Sequence, residues 1–316
     1  MKAMVIKEFG GPDVFEARDM PKPEPGPKEL LVRVHATSIN PVDYKIRQSG
    51  SWAGVQPPAI IGYDASGVVE AVGELVQDFQ VGDEVYYTPE IDGSPGTYAE
   101  YHAVDEAIAA FKPDNLSHAE AATIPLAGGT AWGALIPRAN VWLGETLLIH
   151  GCGGVGSLGL QIAKAAGARV LVCCSDYMLP LAEELGADRA IDYKSEDFVE
   201  VVQEETDGEG VHVVFDAVGG DTLARSIPVI QPFGVMVGIV SSSVDLRAAY
   251  RKNVTLHTMF LQRDRQQLDV LRTLLERGEI RPVIDSVMDL EEVAEAHRRL
   301  EAGGVQGKIA LRVTTE

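Results

Sequence analysis

Cysteine is scarce, basic residues are outnumbered and long apolar runs are missing. The only three cysteines of this 316-residue chain, Cys152, Cys173 and Cys174, fall within one short stretch. Adjacent Cys173 and Cys174 would point to opposite faces of a strand, so the set makes a poor disulfide framework. Lys and Arg total 27 against 47 Asp and Glu, a formal charge of -20. That field repels nucleic-acid phosphates and anionic membrane surfaces, so neither is an expected partner. Ordinary surface solubility and adaptation to a salty cytoplasm account for the acidic excess about equally well. No apolar run reaches the roughly 18 residues of a membrane span, and residues 1–7 are too short and too charged for a signal peptide. A cytoplasmic protein is expected.

Length and pattern then describe what is present. The chain exceeds the roughly 250–300 residues at which a single core stops growing, so two domains are expected. Residues 146–176, TLLIHGCGGVGSLGLQIAKAAGARVLVCCSD, place a GxGxxG spacing at Gly151, Gly153 and Gly156. An apolar strand precedes it and a helix follows, the context in which such a motif binds a dinucleotide, and Gly154 and Val155 within the turn are expected to bind the cofactor with the glycines. Gly151 permits the tight turn, Gly153 lets backbone N–H groups approach a pyrophosphate, and Gly156 lets helix and strand press together. The helix N-terminus favours the anion.

From residue 144 to 261, short apolar strands (TLLIH, RVLVCC, RAIDY, VHVVFDAV, VMVGIV, TLHTMFL) alternate with helical segments. Six strands match a complete doubly wound parallel sheet. One of the helices, SEDFVEVVQEET, has Ser195 as its expected N-cap. The first 120 or so residues differ: Pro21, Pro23, Pro25 and Pro27 break the chain, and ELLVRVHA, SGVVEAVG, DEVYY and TYAEYHAV suggest a partly open antiparallel barrel. Helices at QQLDVLRTLLERG and LEEVAEAHRRLEAG and a last strand KIALRV are expected to return to it.

This order of parts resembles the medium-chain dehydrogenase/reductase superfamily, and within it the zinc-free quinone oxidoreductase branch. INPVDYKIRQSG (39–50), IIGYDASGVVEAVG (60–73), FQVGDEVY, TIPLAGGTAW (123–132), the glycine fingerprint and GKIALRV carry the resemblance along nearly the whole chain. It implies an α/β protein: a GroES-like catalytic domain over 1–123 and 264–316, interrupted by a Rossmann domain over 124–263. It further implies NAD(P)H bound in the cleft between them and a homodimer, with TLHTMFL able to pair with a twofold mate. Relatives that use zinc carry a Cys within the segment matching 38–40 and GHE where this chain has Gly62, Tyr63 and Asp64. A catalytic zinc needs three Cys, His or carboxylate ligands, and a structural zinc needs clustered cysteines. His35, His102 and His118 have no ligand-like spacing, so no zinc is expected.

The resemblance implies that Asn40 and Asp43 line the cleft, with Thr130 near the nicotinamide carboxamide. The plainer reading of Asn40-Pro41-Val42-Asp43 is a helix start, and both can hold. Tyr44, Tyr63 and Trp52 are aromatic candidates beside a flat substrate. Tyr63 stands where relatives have a zinc-binding histidine and could donate to a developing oxyanion; a packed core tyrosine is the alternative. Asp64 in the plain reading pairs with a cation such as Arg47.

Cofactor choice turns on the end of the second Rossmann strand. Neutral Cys174 and Ser175 suit NADP(H), whereas Asp176, about 20 residues beyond Gly156, has the offset of an acid that binds NAD. No Lys or Arg follows closely to hold a phosphate; Lys164 and Arg169 read as a solvated helix lysine and a strand-start arginine. Tyr193 matches a family position near the adenosine ribose, and Ser241 follows the strand passing the nicotinamide. NADP(H) is favoured, with NAD(H) open. The expected activity is zinc-independent hydride transfer to a quinone or activated alkene. A 2-alkenal or enoyl (thioester) reductase is the same-class alternative, and a cofactor-binding structural protein with little turnover is the alternative of another class.

Overall fold

The structure, a computed structural model, describes residues 1–241 and 245–314. The chain forms two compact units: Met1–Gly129 with Arg263–Gly278 and Pro282–Glu316, and Thr130–Gln262 with Glu279–Arg281.

The second unit is built on six parallel strands: β1 (Thr146–His150), β2 (Arg169–Cys174), β3 (Arg189–Asp192), β4 (Val211–Asp216), β5 (Ile230–Gly238) and β6 (Thr255–Thr258). Their order is β3-β2-β1-β4-β5-β6. The central strands are apolar on both faces because helices cover both sides of such a sheet. Leu148, Leu171, Val214 and Met236 share one packed cluster with Phe198 and Val202 of the helix Phe198–Glu205. Chain order reverses between β1 and β4, the switch point at which ligands bind in open α/β sheets.

Two local expectations are corrected. The N-cap is Asp197, whose carboxylate accepts the Val199 N–H at 2.9 Å. Ser195 instead donates to Asp192 at 2.7 Å. Strand β6 stops at Thr258, not at Leu261, because its neighbour β5 runs out at Gly238, the residue paired with Thr258.

In the first unit the long strand Glu29–Ser38 is the hub. It pairs antiparallel with Ala65–Val72, Tyr101–Asp105 and Lys308–Arg312 within a mostly antiparallel seven-stranded sheet. A second sheet orders Phe15–Asp19, Lys2–Ile6 and Ala59–Ile60. The helices Pro41–Ser49 and Val293–Ala302 contribute Ile46, Val293 and Ala296 to a core shared with Ile39, Ile61, Tyr63 and Tyr98. The unit runs past the expected limit at residue 123, since the Leu126 N–H donates to the buried Asp64 carboxylate at 2.8 Å. Among the described residues, no helix is long and apolar enough to cross a membrane.

Candidate active site

At the end of β1 the chain turns through Gly151, whose φ of +88° would strain any residue with a side chain. Its N–H donates to the Cys173 carbonyl at 2.8 Å, tying the turn to β2. Gly153 is the N-cap of the helix Gly154–Ala165. A Cβ there would meet nothing within 4 Å, so the space before the helix N-terminus is open. At Gly156 a Cβ would lie 1.9 Å from the Gly151 carbonyl oxygen. The turn closes only on hydrogen. The result is a row of helix-end N–H groups behind an open face, an arrangement that holds a pyrophosphate.

Around this turn the strand ends gather several expected residues. Ser175 follows β2, and its hydroxyl lies 3.3 Å from that of Tyr193, just after β3. Asp176 does not stand alone: the Lys194 ammonium is 3.4 Å from its carboxylate. The Asp176 charge, with its hydrogen bond, moves the Lys194 ammonium upward from its usual range. This cation, absent from the residues that closely follow Asp176, arrives from the end of β3, 18 residues away in the chain. Lys164 and Arg169 are spent on Asp188 and Glu205. The loop after β4 is shaped by buried Asp216, which accepts the Val218 and Gly219 N–H groups at 2.9 Å and the Thr222 hydroxyl at 2.6 Å. The same loop reaches Ser241, whose carbonyl accepts the Gly220 N–H at 3.3 Å. Thr130 is buried in the helix Pro125–Leu135.

The other expected residues lie in the first unit, on a buried polar cluster. Asn40 precedes Pro41, the first residue of its helix, and its N–H donates to the Asp43 carboxylate at 2.7 Å. The Asn40 side chain is occupied elsewhere. Its amide nitrogen donates to Asp64 at 2.7 Å, and its oxygen accepts from the Lys308 ammonium. Asp64 also accepts the Ser38 hydroxyl at 2.6 Å and pairs with Lys308 at 3.1 Å. Its partner is therefore Lys308, not Arg47. Arg47 faces His297 and Glu301. Lys308, a residue of the last strand, lies 244 residues from Asp64 in the chain, and the pairing of that strand with Glu29–Ser38 brings the two together.

Asp43 is fully buried, and burial pushes its carboxyl up to about 7 against the pull of the Asn40 N–H, the Lys308 charge and the Tyr98 hydroxyl. Tyr63 is buried too, and its hydroxyl has no hydrogen-bond partner among the described residues. Burial, and then the Asp43 charge, raise its proton affinity, so it remains a phenol at any working pH. A buried O–H left over is a donor available to a ligand oxygen. Trp52 is mostly exposed and offers no enclosed aromatic wall.

One unit thus carries a glycine turn before a helix N-terminus, and the other a buried polar cluster. Residues 26–114 match the family model for the alcohol dehydrogenase GroES-like domain, and residues 185–311 match that for zinc-binding dehydrogenase. Quinone oxidoreductase of Pseudomonas aeruginosa is 35% identical, over 98% of this chain and 99% of its own. The chloroplastic NADPH-dependent alkenal/one oxidoreductase of Arabidopsis thaliana is 35% identical, over 98% of this chain and 79% of its own. The structure of Escherichia coli quinone oxidoreductase complexed with NADPH superposes with a TM-score of 0.89 at 30% identity, covering 99% of this chain and 100% of that one. The chain belongs to the medium-chain dehydrogenase/reductase superfamily, in its quinone oxidoreductase-like branch.

Proposed function

We propose that this chain is an NADPH-dependent, zinc-independent reductase that delivers hydride to a quinone or a carbonyl-conjugated alkene. The observation that carries the reading is the turn at Gly151, Gly153 and Gly156, closed tightly at one glycine and open at another before a helix N-terminus. The cofactor, when bound, supplies the hydride. The chain supplies the rest. Gly153, Gly154 and Val155 present helix-end N–H groups to the pyrophosphate. Ser175, Tyr193 and Lys194 offer two hydroxyls and a cation at the ribose end, and Lys194 offsets the repulsion that Asp176 would exert on a 2′-phosphate. Thr130 and Ser241 orient the nicotinamide end. Tyr63 donates to the oxygen on which charge develops, and Asn40 and Asp43 hold the acidic side of the site in place.

The donor set does not suit zinc. Ser38 and Tyr63 offer neutral hydroxyls, and the Asp64 carboxylate already takes four donors, among them the Lys308 cation at 3.1 Å. A second cation beside Lys308 would meet repulsion rather than thiolate or imidazole ligands. Two further readings complete the proposal. The open edge of β6 is the seam of a homodimer, and a protein of monomeric mass in solution would remove that reading. Alkenals and enoyl thioesters share the acceptor chemistry of enones and are same-class substrates.

The test is oxidation of NADPH and NADH followed by absorbance, with and without EDTA, using 1,4-benzoquinone, 9,10-phenanthrenequinone and a 2-alkenal as acceptors. Chelator-resistant turnover with NADPH preferred is the expected result. Turnover abolished by EDTA and restored by zinc would overturn zinc independence. Cofactor binding without oxidation across all three acceptors would favour a binding protein. Lys194→Ala should weaken NADPH binding roughly tenfold, the worth of a charge-assisted contact, and leave NADH binding unchanged.

A further inference from the structure

Four buried side chains of the first unit form an unbroken line. The Arg47 guanidinium Nη1 lies 3.1 Å from His297 Nδ1. His297 Nε2 lies 3.2 Å from the Tyr98 hydroxyl, and that hydroxyl is 3.0 Å from Asp43 Oδ2. All four are fully buried. Arg47 is itself anchored: its Nε–H donates to the Gly10 carbonyl at 3.0 Å, and Nη2 pairs with Glu301 at 2.8 Å.

The chemistry of the groups fixes the direction of every hydrogen in this line. A guanidinium has donors only, so His297 Nδ1 must accept. Burial, reinforced by the Arg47 charge, pushes the His297 imidazolium down to about 3, so the ring is neutral. Its one proton is then on Nε2 and donates to the Tyr98 oxygen. The Tyr98 hydrogen is left with one acceptor, Asp43. With Nδ1 protonated instead, Nε2 would compete for that same hydrogen, and Asp43 would lose a donor.

We propose that Arg47 locks the His297 tautomer so that the Tyr98 hydroxyl donates its hydrogen bond to Asp43, which makes Arg47 and His297 positioning residues for the Asn40–Asp43 part of the site. The assignment of Asn40 and Asp43 to a reductase site rests on the reading above; the hydrogen directions do not. Arg47 matters only because His297 could compete. Asp43 is otherwise faced by the Asn40 N–H, the Lys308 and Asp64 charges and the Tyr63 phenol.

The first measurement is the ¹⁵N spectrum of histidine-labelled full-length protein, with His297 assigned by its loss in His297→Leu. A pyridine-type Nδ1 and a pyrrole-type Nε2 are expected; a proton on Nδ1 overturns the proposal. The second is the titration of Asp43, followed by carboxyl ¹³C shifts assigned by Asp43→Asn. Arg47→Met should raise the Asp43 midpoint by roughly one pH unit, the weight of one hydrogen bond to a charged acceptor. Adding His297→Leu to Arg47→Met should bring it back, because the competing acceptor is gone. A rise that persists in the double variant would mean that Arg47 acts through its charge or as scaffolding, and would overturn the lock. Should Arg47→Met not fold, the wild-type tautomer decides alone. Neither readout needs turnover, so an absent quinone activity would sink the functional reading and leave the lock standing. An active enzyme whose pH profile ignores the Arg47→Met shift would show that the lock does not serve the reaction.

Discussion

Replacing Asp43 by Asn should remove a pH dependence of stability that runs opposite to the one most carboxylates create. Burial raises the folded-state carboxyl from 3.8 to about 7. Between those two values the native protein therefore holds a proton that the unfolded chain has already released. Stability from this group is fully present below about pH 4 and is lost as pH rises toward 7, after which it stays lost. A shift of about three units at about 1.36 kcal/mol each gives an upper figure of roughly 4 kcal/mol. Asn at this position keeps the geometry. Oδ2 takes both donors, the Asn40 N–H at 2.7 Å and the Tyr98 hydroxyl at 3.0 Å, and an amide oxygen can accept both. Oδ1 has no hydrogen-bond partner among the described residues, so the amide nitrogen breaks no existing contact. Urea denaturation of both proteins from pH 4.5 to 8 measures the difference. Wild type should lose ground to Asp43→Asn by several kcal/mol across that range. Parallel stability curves would show that Asp43 ionises in the fold at an ordinary pH, and the reasoning from burial would fail.

Lys308→Met should destabilise the fold by roughly 3–5 kcal/mol, because it strands the Asp64 carboxylate in the core. Lys308→Met with Asp64→Asn should recover much of that loss in thermal denaturation, and a double variant no more stable than the single one would contradict the pairing. Gly156→Ala should abolish NADPH binding by calorimetry, since its Cβ would stand 1.9 Å from the Gly151 carbonyl. Gly153→Ala meets open space, so its melting temperature should hold while NADPH affinity drops; equal effects of the two alanines on folding would refute the separate roles given to these glycines.

What the sequence made legible was local and periodic. The glycine spacing, the strand runs and the helix stripes each depend on residues a few positions apart, and the six-stranded parallel sheet follows from them. Errors arose where a neighbour in space decided the outcome. Ser195 and Asp197 both have side chains that can cap, and Asp192 at the end of β3 took the Ser195 hydroxyl. The apolar run TLHTMFL could have paired along its whole length, but β5 ended first.

The charges of the candidate site were the least legible part, for a physical reason. A carboxylate in a core is tolerated only beside a cation or several donors, yet nothing local says which cation of the chain that will be. Arg47, four residues beyond Asp43, was the natural guess for Asp64, and helix geometry sends it to His297 instead. Lys308 reaches Asp64 only because the last strand pairs with the hub strand in the register Ala310↔Ser38. Lys194 reaches Asp176 for a similar reason, since β2 and β3 pair with Cys174 opposite Asp192. In both cases the deciding contact is made by strand register, a property of the assembled sheet. Both basic residues stand beside a strand end, Lys308 as the first residue of the last strand and Lys194 two residues past β3.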